Sequence, residues 1–211
     1  MDSDASDAAS GDDQPATRKK TLSFADILTE VPDGDTAAAS ELLLADRGLA
    51  SVAPLESLRN LKKLELRGNM IRKLSFVEMN HALCWLGLAS NRLARLAHLQ
   101  NLSSLAVLDV SNNRIARLDG LAGLSSLKAL IATRNRITYI HGLTPTTHPA
   151  LETLVLSHNL LKECSLAGFP SLKKLSVAHN DLHAFPQLSR LPALAELRLS
   201  GNKMTSVSKS V

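Results

Sequence analysis

Asparagine returns along this chain as Asn69, Asn91, Asn113, Asn135, Asn159, Asn180 and Asn202, at spacings of 22, 22, 22, 24, 21 and 22, always inside the frame L-x-x-L-x-L-x-x-N-x-L. The aliphatic positions keep step with it, as in Leu105, Leu108, Val110, Asn113, Ile115 and again in Leu127, Leu130, Ala132, Asn135, Ile137. A fixed period of this length means one supersecondary unit stacked on copies of itself, because a single unit cannot bury its own leucines. An imperfect earlier copy (Leu42, Leu44, Arg47, Leu49) keeps the phase, so about eight units are expected over residues 39–211. The excess of two residues falls on Thr144–Pro149, where two prolines demand a loop.

Within each unit the L-x-L pair has period two, which puts both leucines on one side of a short strand and the residue between them on the other. Strands from successive units then stack in parallel. The asparagine sits where the chain leaves the strand, and its amide can satisfy backbone groups that the turn would otherwise bury unpaired.

The run after each asparagine, for example Ile115-Ala116-Arg117-Leu118-Asp119-Gly120-Leu121-Ala122-Gly123-Leu124, resembles the 22-residue subclass of the leucine-rich-repeat family. That subclass is similar to the nuclear regulatory subunit of protein phosphatase 1, the U2 spliceosomal A-prime protein and an axonemal dynein light chain. The resemblance implies an α/β repeat fold: a leucine-rich-repeat solenoid, a right-handed superhelix with a parallel concave β-sheet and a short helical or irregular convex side. It also implies protein binding without catalysis; function varies across such a scaffold with what each member holds.

Residues 1–20 form an acidic tail with no apolar run, expected to be disordered. Residues 21–38 read as a cap. Ser23 precedes Phe24, Ile27, Leu28 and Val31 at helical spacing, with Asp26 as a capping-box partner and Leu22 placed to staple on Ile27, which predicts a helix over 24–31. A second reading uses the same residues. Lys20, Leu22 and Phe24 resemble the basic-x-hydrophobic-x-aromatic motif by which regulators grip protein phosphatase 1 as an added edge strand, although Leu22 stands where Val or Ile is usual. At the other end Met204 and Val207 make half a unit, so an exposed last strand is expected to invite end-to-end pairing.

The residue before the first strand leucine and the one between the two leucines line the inner surface. The first row reads Glu41, Lys63, Trp85, Val107, Ala129, Thr153, Lys174, Glu196; the second reads Leu43, Glu65, Gly87, Asp109, Ile131, Val155, Ser176, Arg198. Trp85, Val107, Ile131 and Val155 make an apolar middle with charged residues (Lys63 and Glu65 among them) toward the ends, the layout of an interface core with a polar rim. Trp85, the single tryptophan, is the expected anchor, with Gly87 leaving room for a partner to approach the ring. The alternative is that the indole merely packs over neighbouring strands.

Charge divides the chain. Residues 1–40 carry three basic and nine acidic side chains (−6), residues 41–211 carry 21 and 11 (+10). Such a body attracts acidic partners, and an acidic tail can shield it. Arg92, Arg114 and Arg136 follow the asparagines, with Arg95 and Arg117 three residues on, so the period aligns them on one outer flank. Tubulin tails and phosphoproteins fit such a flank; nucleic acid is disfavoured, because base stacking needs aromatics and the flank offers only Tyr139. No uninterrupted apolar stretch is long enough for a membrane helix, and the acidic start is unlike a signal peptide. Cys84 and Cys164 lie far apart, without metal spacing, which favours a reducing intracellular compartment, cytoplasm, nucleus or cytoskeleton. His158 and His179 occupy equivalent turns but lack a third ligand. With no glycine-rich phosphate loop, carboxylate pair or nucleophile signature, no enzyme, cofactor or small-molecule substrate is expected.

Overall fold

A computed structural model describes residues 20–205. The acidic tail lies outside these residues except for Lys20, and Val207 lies outside them too. The chain builds eight parallel rungs on one sheet: β2 (Glu41–Leu43), β4 (Lys63–Glu65), β5 (Trp85–Gly87), β6 (Val107–Asp109), β7 (Ala129–Ile131), β8 (Thr153–Val155), β10 (Lys174–Ser176) and β12 (Glu196–Arg198). The remaining strands lie behind it: β1 (Lys20–Leu22) beside β3 (Leu49–Val52), and β9 (Ser165–Ala167) beside β11 (Gln187–Ser189). Register is fixed by the repeat, so Lys63, Trp85, Val107, Ala129, Thr153, Lys174 and Glu196 pair rung to rung with no slip.

The period-two expectation is met residue by residue. Leu64, Leu86, Leu108, Leu130, Leu154 and Leu175 are fully buried beneath the sheet, while their strand neighbours face the other way. Below them runs a second aliphatic column that includes Leu99, Leu121 and Leu143 from the convex turns. Helix is scarce because each convex segment has only a few residues in which to return to the next strand.

The asparagines form the ladder that the sequence anticipates. In the fourth rung, Asn113 Oδ1 accepts from the Leu93 N–H of the preceding unit at 2.9 Å, while Nδ2 donates to Leu88 O and Val110 O, each at 2.9 Å. The same three contacts recur at Asn69, Asn91, Asn135, Asn159, Asn180 and Asn202. Each amide therefore ties two units together through groups that have no strand partner.

The residue before each ladder asparagine, and Asp46 at the same place in the first unit, turns the chain in the left-handed region: Asp46, Gly68, Ser90, Asn112, Arg134, His158, His179 and Gly201 all have φ between 53° and 72°. Their N–H groups extend the inter-rung ladder, as Asn112 N–H does to Thr133 O at 2.8 Å. This column stacks His158 on His179, with ring centroids 4.3 Å apart. Desolvation, followed by the neighbouring His179, lowers the His158 pKa.

Two polar residues replace leucines in the convex core. Asn80 is 1% exposed and caps Leu55 O and Leu58 O, and His148, fully buried in the long loop, has its Nε2 3.0 Å from Leu121 O. The interval from Asn159 to Asn180 is one residue short, and in the interval that follows Phe185 is left 45% exposed while Pro186 is buried in line with Cys164. Leu194, Leu197 and Leu199 on the final described rung are only partly buried.

The cap departs from expectation in one respect. The helix is there, α1 over Phe24–Glu30, with the Ser23–Asp26 capping box complete. Leu22, which precedes the cap residue and shares the core with Ile27, also ends a strand that was not expected: it closes β1, pairs with Val52, and is buried at 4% exposure. The cause is the orphan edge of β3, whose following N–H, from Ala53, donates to Leu22 O at 2.9 Å. Arg47 and Glu30 then pair at the back of α1, and that hydrogen bond holds the Glu30 carboxyl below its ordinary pKa.

Candidate functional site

The inner surface of the sheet gathers all of the sequence-derived binding residues. Lys63, Trp85, Val107, Asp109, Ile131, Val155 and Glu65 alternate with buried leucines on β4 to β8, and each is half-buried rather than open. Neighbouring rungs are only about 4.8 Å apart, so large side chains in one row cover one another.

Trp85 behaves differently from its expected pose. A Cβ placed on Gly87 would lie 2.5 Å from the indole Cη2 and 2.6 Å from Glu65 Oε1. The indole therefore lies over its own strand and fills the space at Gly87, so the glycine makes room for the tryptophan itself and not for an approaching partner. Lys63 Nζ stands 5.8 Å from the ring centroid, within cation–π range, and is held from the other side by Glu41 at 3.4 Å. The Cη2–Cζ3 edge of the indole thus covers Gly87, Lys63 Nζ lies over the ring, and the half-buried side chain is held in place at the floor of the hollow.

Acidic groups flank this platform. Glu65 Oε1 accepts from Arg67 N–H at 2.9 Å and Asp109 Oδ1 from Ser111 N–H at 2.9 Å, so each carboxylate is tied to the turn above its strand by one oxygen. At the far end Lys174 and Arg198 pair with Glu196, whose pKa is lowered first by the hydrogen bond from Lys174. Leu43, on the second row beside Glu65, is 53% exposed and was not singled out as a contact residue; its place as the β2 member of that row was the available signal.

The other predicted residues separate from this face. Arg92, Arg95, Arg114, Arg117 and Arg136 stand exposed on the flank where the strands turn outward, in line as the period requires. Small residues beneath them leave a recess of about 580 Å³ lined by Ala94 to Ala97, Ala116, Arg117, Asp119 and Gly120, a feature hidden from sequence reasoning because it is made by what is missing. Of the phosphatase-motif residues, Lys20 and Phe24 are exposed but the Leu22 side chain is committed to the protein's own core, so in this conformation the motif cannot be offered as a strand. Cys84 is exposed; Cys164 is buried, which pushes its thiol up to about 12. Among the described residues there is no group of three or more metal-ligating side chains, and no helix is long and apolar enough to cross a membrane.

The family model described as "Leucine-rich repeat" matches residues 101–191, and the rungs, asparagine ladder and parallel register extend the same pattern over the rest of the described chain. The fold is the leucine-rich-repeat solenoid. The crystal structure titled "LRIM1/APL1C complex" superposes with a TM-score of 0.71 at 25% identity, over 88% of this chain and 34% of that one. Toll-like receptor 2 of Ovis aries is 40% identical over 67 residues, 32% of this chain and 8% of the receptor. The human PH domain leucine-rich repeat-containing protein phosphatase 1 is 36% identical over 74 residues, 33% of this chain and 4% of that protein. The chain thus spans a small part of the curated relatives it matches, and their names describe those proteins. What the solenoid carries over is a scaffold suited to protein–protein interaction.

Proposed function

We propose that this leucine-rich-repeat chain is a non-catalytic intracellular scaffold or regulatory subunit that holds a globular protein on its concave face, with Trp85 as the anchor. The observation that supports this reading most is the posture of the indole. It is held between Gly87 and Lys63, half-buried, and flanked by Val107 and the carboxylates of Glu65 and Asp109. A rigid aromatic surface costs little entropy to use, and tryptophan in such a setting is enriched among residues that dominate binding. The resemblance to the 22-residue subclass makes protein phosphatase 1 the candidate partner to try first. Since Leu22 is occupied, that contact is through the concave face rather than through residues 20–24.

The test is binding of protein phosphatase 1 catalytic subunit, together with affinity purification and mass spectrometry, using the intact chain and Trp85→Ala. Loss of about 2 kcal/mol or more, roughly a 30-fold weakening, with an unchanged thermal transition is the expected outcome. A partner list identical for both proteins removes the concave-face reading, and partners other than the phosphatase that still depend on Trp85 remove only the named candidate.

A further inference from the structure

We propose that the basic outer flank is the docking surface for this chain's own N-terminal acidic segment, residues 2–13, and that the segment acts as an internal cover over it. This goes beyond the concave-face function and does not depend on it. The flank carries Arg92, Arg95, Arg114, Arg117 and Arg136, all exposed. Among the described residues only Arg117 of these has a carboxylate within reach, Asp119 at 4.0 Å, and its side chain is still 82% exposed. A row of like charges without partners carries a standing repulsion that an acidic chain relieves.

The flank is also shaped to take a chain. The recess of about 580 Å³ runs between Arg95 and Arg117 over Ala94, Ala97 and Ala116. A second hollow of about 290 Å³ continues from Arg117 and Asp119 to Tyr139 and His141, whose rings stack 5.6 Å apart. The groove is floored by alanines and glycine, where an extended backbone fits, and walled by the Arg95 and Arg117 guanidinium groups, which match carboxylates in forked geometry, with Asp119 the one carboxylate in its lining.

Topology chooses the occupant. Strand β1 pairs with β3, and Lys20 lies opposite Leu49. Leu49 occupies the same place as Leu93 and Ile115, since all three N–H groups donate to the ladder asparagines. The N-terminal segment therefore joins the solenoid on the arginine flank itself. Counting rungs from β1, the Arg95–Arg117 recess is three to four steps away, roughly 15–20 Å at the usual rung spacing. Residues 1–17 hold Asp2, Asp4, Asp7, Asp12 and Asp13 and no Lys or Arg. Seventeen residues can span up to about 55 Å, ample for Asp7 to reach Arg117, and a tether this short gives an effective concentration on the order of millimolar. An acidic partner from outside must compete with that.

The experiment uses the full chain with a nitroxide at Ala8→Cys in a Cys84→Ser background, Cys164 being buried. The expected result is paramagnetic broadening of the amides at 94–97 and 116–120, abolished by Arg95→Gln with Arg117→Gln and by salt at about 0.5 M, where screening shortens to a few ångström. As a second measurement, replacing the five aspartates by asparagine is expected to tighten binding of poly-glutamate about tenfold, the competitor having been removed. Amides on the flank that stay sharp, broadening that survives the arginine replacements, or equal poly-glutamate affinity for both chains overturns the proposal; sharp amides with strong poly-glutamate binding assign the flank to an external acidic partner instead.

Discussion

Replacing Asn113 by alanine tests the asparagine ladder at a buried position in the middle of the solenoid. The side chain is 8% exposed and makes four hydrogen bonds, two of them to the preceding unit. Val110 O keeps a second donor from Asn135 and Leu88 O keeps one from Asn91, so the two carbonyls lose strength without being orphaned. Leu93 N–H loses its only acceptor. An unsatisfied buried N–H costs about 1–3 kcal/mol, and two weakened carbonyl bonds add about 1 kcal/mol together, so a loss of about 3 kcal/mol is expected. Asn202 makes the same set of bonds in a part-buried setting, where water replaces what alanine removes, and Asn202→Ala is expected to cost about 1 kcal/mol or less. Urea unfolding followed by both far-ultraviolet circular dichroism and Trp85 fluorescence reads the difference, with coincident curves securing a two-state treatment.

Asn113→Asp sharpens the same test through its sign. The carboxylate keeps an oxygen for Leu93 N–H but turns the other toward Leu88 O, Val110 O and Ser111 O, where the amide had donated. The charged form is disfavoured in the fold, so the folded pKa rises above the unfolded value of about 3.9. Stability of this variant is then greatest below the unfolded pKa and falls as pH rises through the folded one. Improvement of the variant relative to the parent on acidification is expected. A cost under about 1 kcal/mol for Asn113→Ala, parity with Asn202→Ala, or an aspartate variant that weakens further in acid refutes the ladder as a stabilising device.

Three further outcomes follow from packing. Gly87→Ala is expected to lift the indole off β5 and shift its emission to the red, with unfolding free energy changed by no more than about 1 kcal/mol; unchanged emission contradicts the seating of Trp85 on that glycine. In the native protein at mildly alkaline pH a thiol reagent is expected to titrate Cys84 alone and to reach Cys164, held near 12 by burial, only after unfolding, so two fast thiols in the native state contradict its placement. Leu22→Ala is expected to cost about 2–4 kcal/mol, whereas Phe24→Ala, at 43% exposure, changes stability by about 0.5 kcal/mol or less, and equal effects contradict the strand-and-helix cap.

What the sequence makes legible is whatever the period repeats. Leu108, Asn113 and Val107 each recur in the same environment, so a single geometric argument places every copy, and the register of the sheet agrees with it along its length. Features that occur once are different. Gly87 was read as open space because a missing side chain does not say which neighbour fills the gap; the indole fills it by folding along its own strand, an i to i+2 contact that no spacing rule favours. Leu22 fits a helix staple and an edge strand equally well as a pattern, and the choice was made by the unpaired edge of β3, which lies 27 or more residues away in sequence. His148 falls in the segment read as a loop and Asn80 breaks the leucine pattern, yet backbone carbonyls of neighbouring turns hold both inside. The left-handed column did leave a trace, since Asp, Gly, Ser and Asn fill half of it or more, but Arg134 and the two histidines obscured the rule.

The division of labour between the two sides of each strand bears on how such a face acquires a partner. Every bond of the asparagine ladder and every fully buried leucine lies below or beside the sheet, whereas Val107, Ile131 and Val155 on its inner surface contribute to inter-unit hydrogen bonds only through their backbones. Substitution of Val107, Ile131 or Val155 therefore leaves the rungs intact while altering the hollow, and binding can change with little change in folding. Trp85 is where this separation is least complete. Its indole covers Gly87, and Lys63 leans on its ring, so truncation removes a contact surface and also bares backbone on β5. A partner that docks there gains an aromatic plane already held in place. It must in turn displace or engage Lys63, whose tie to Glu41 at 3.4 Å is a surface ion pair of small worth. Lys63 is therefore the group on this face most easily recruited, and a partner presenting a carboxylate beside an apolar side chain meets both Lys63 and the indole at once.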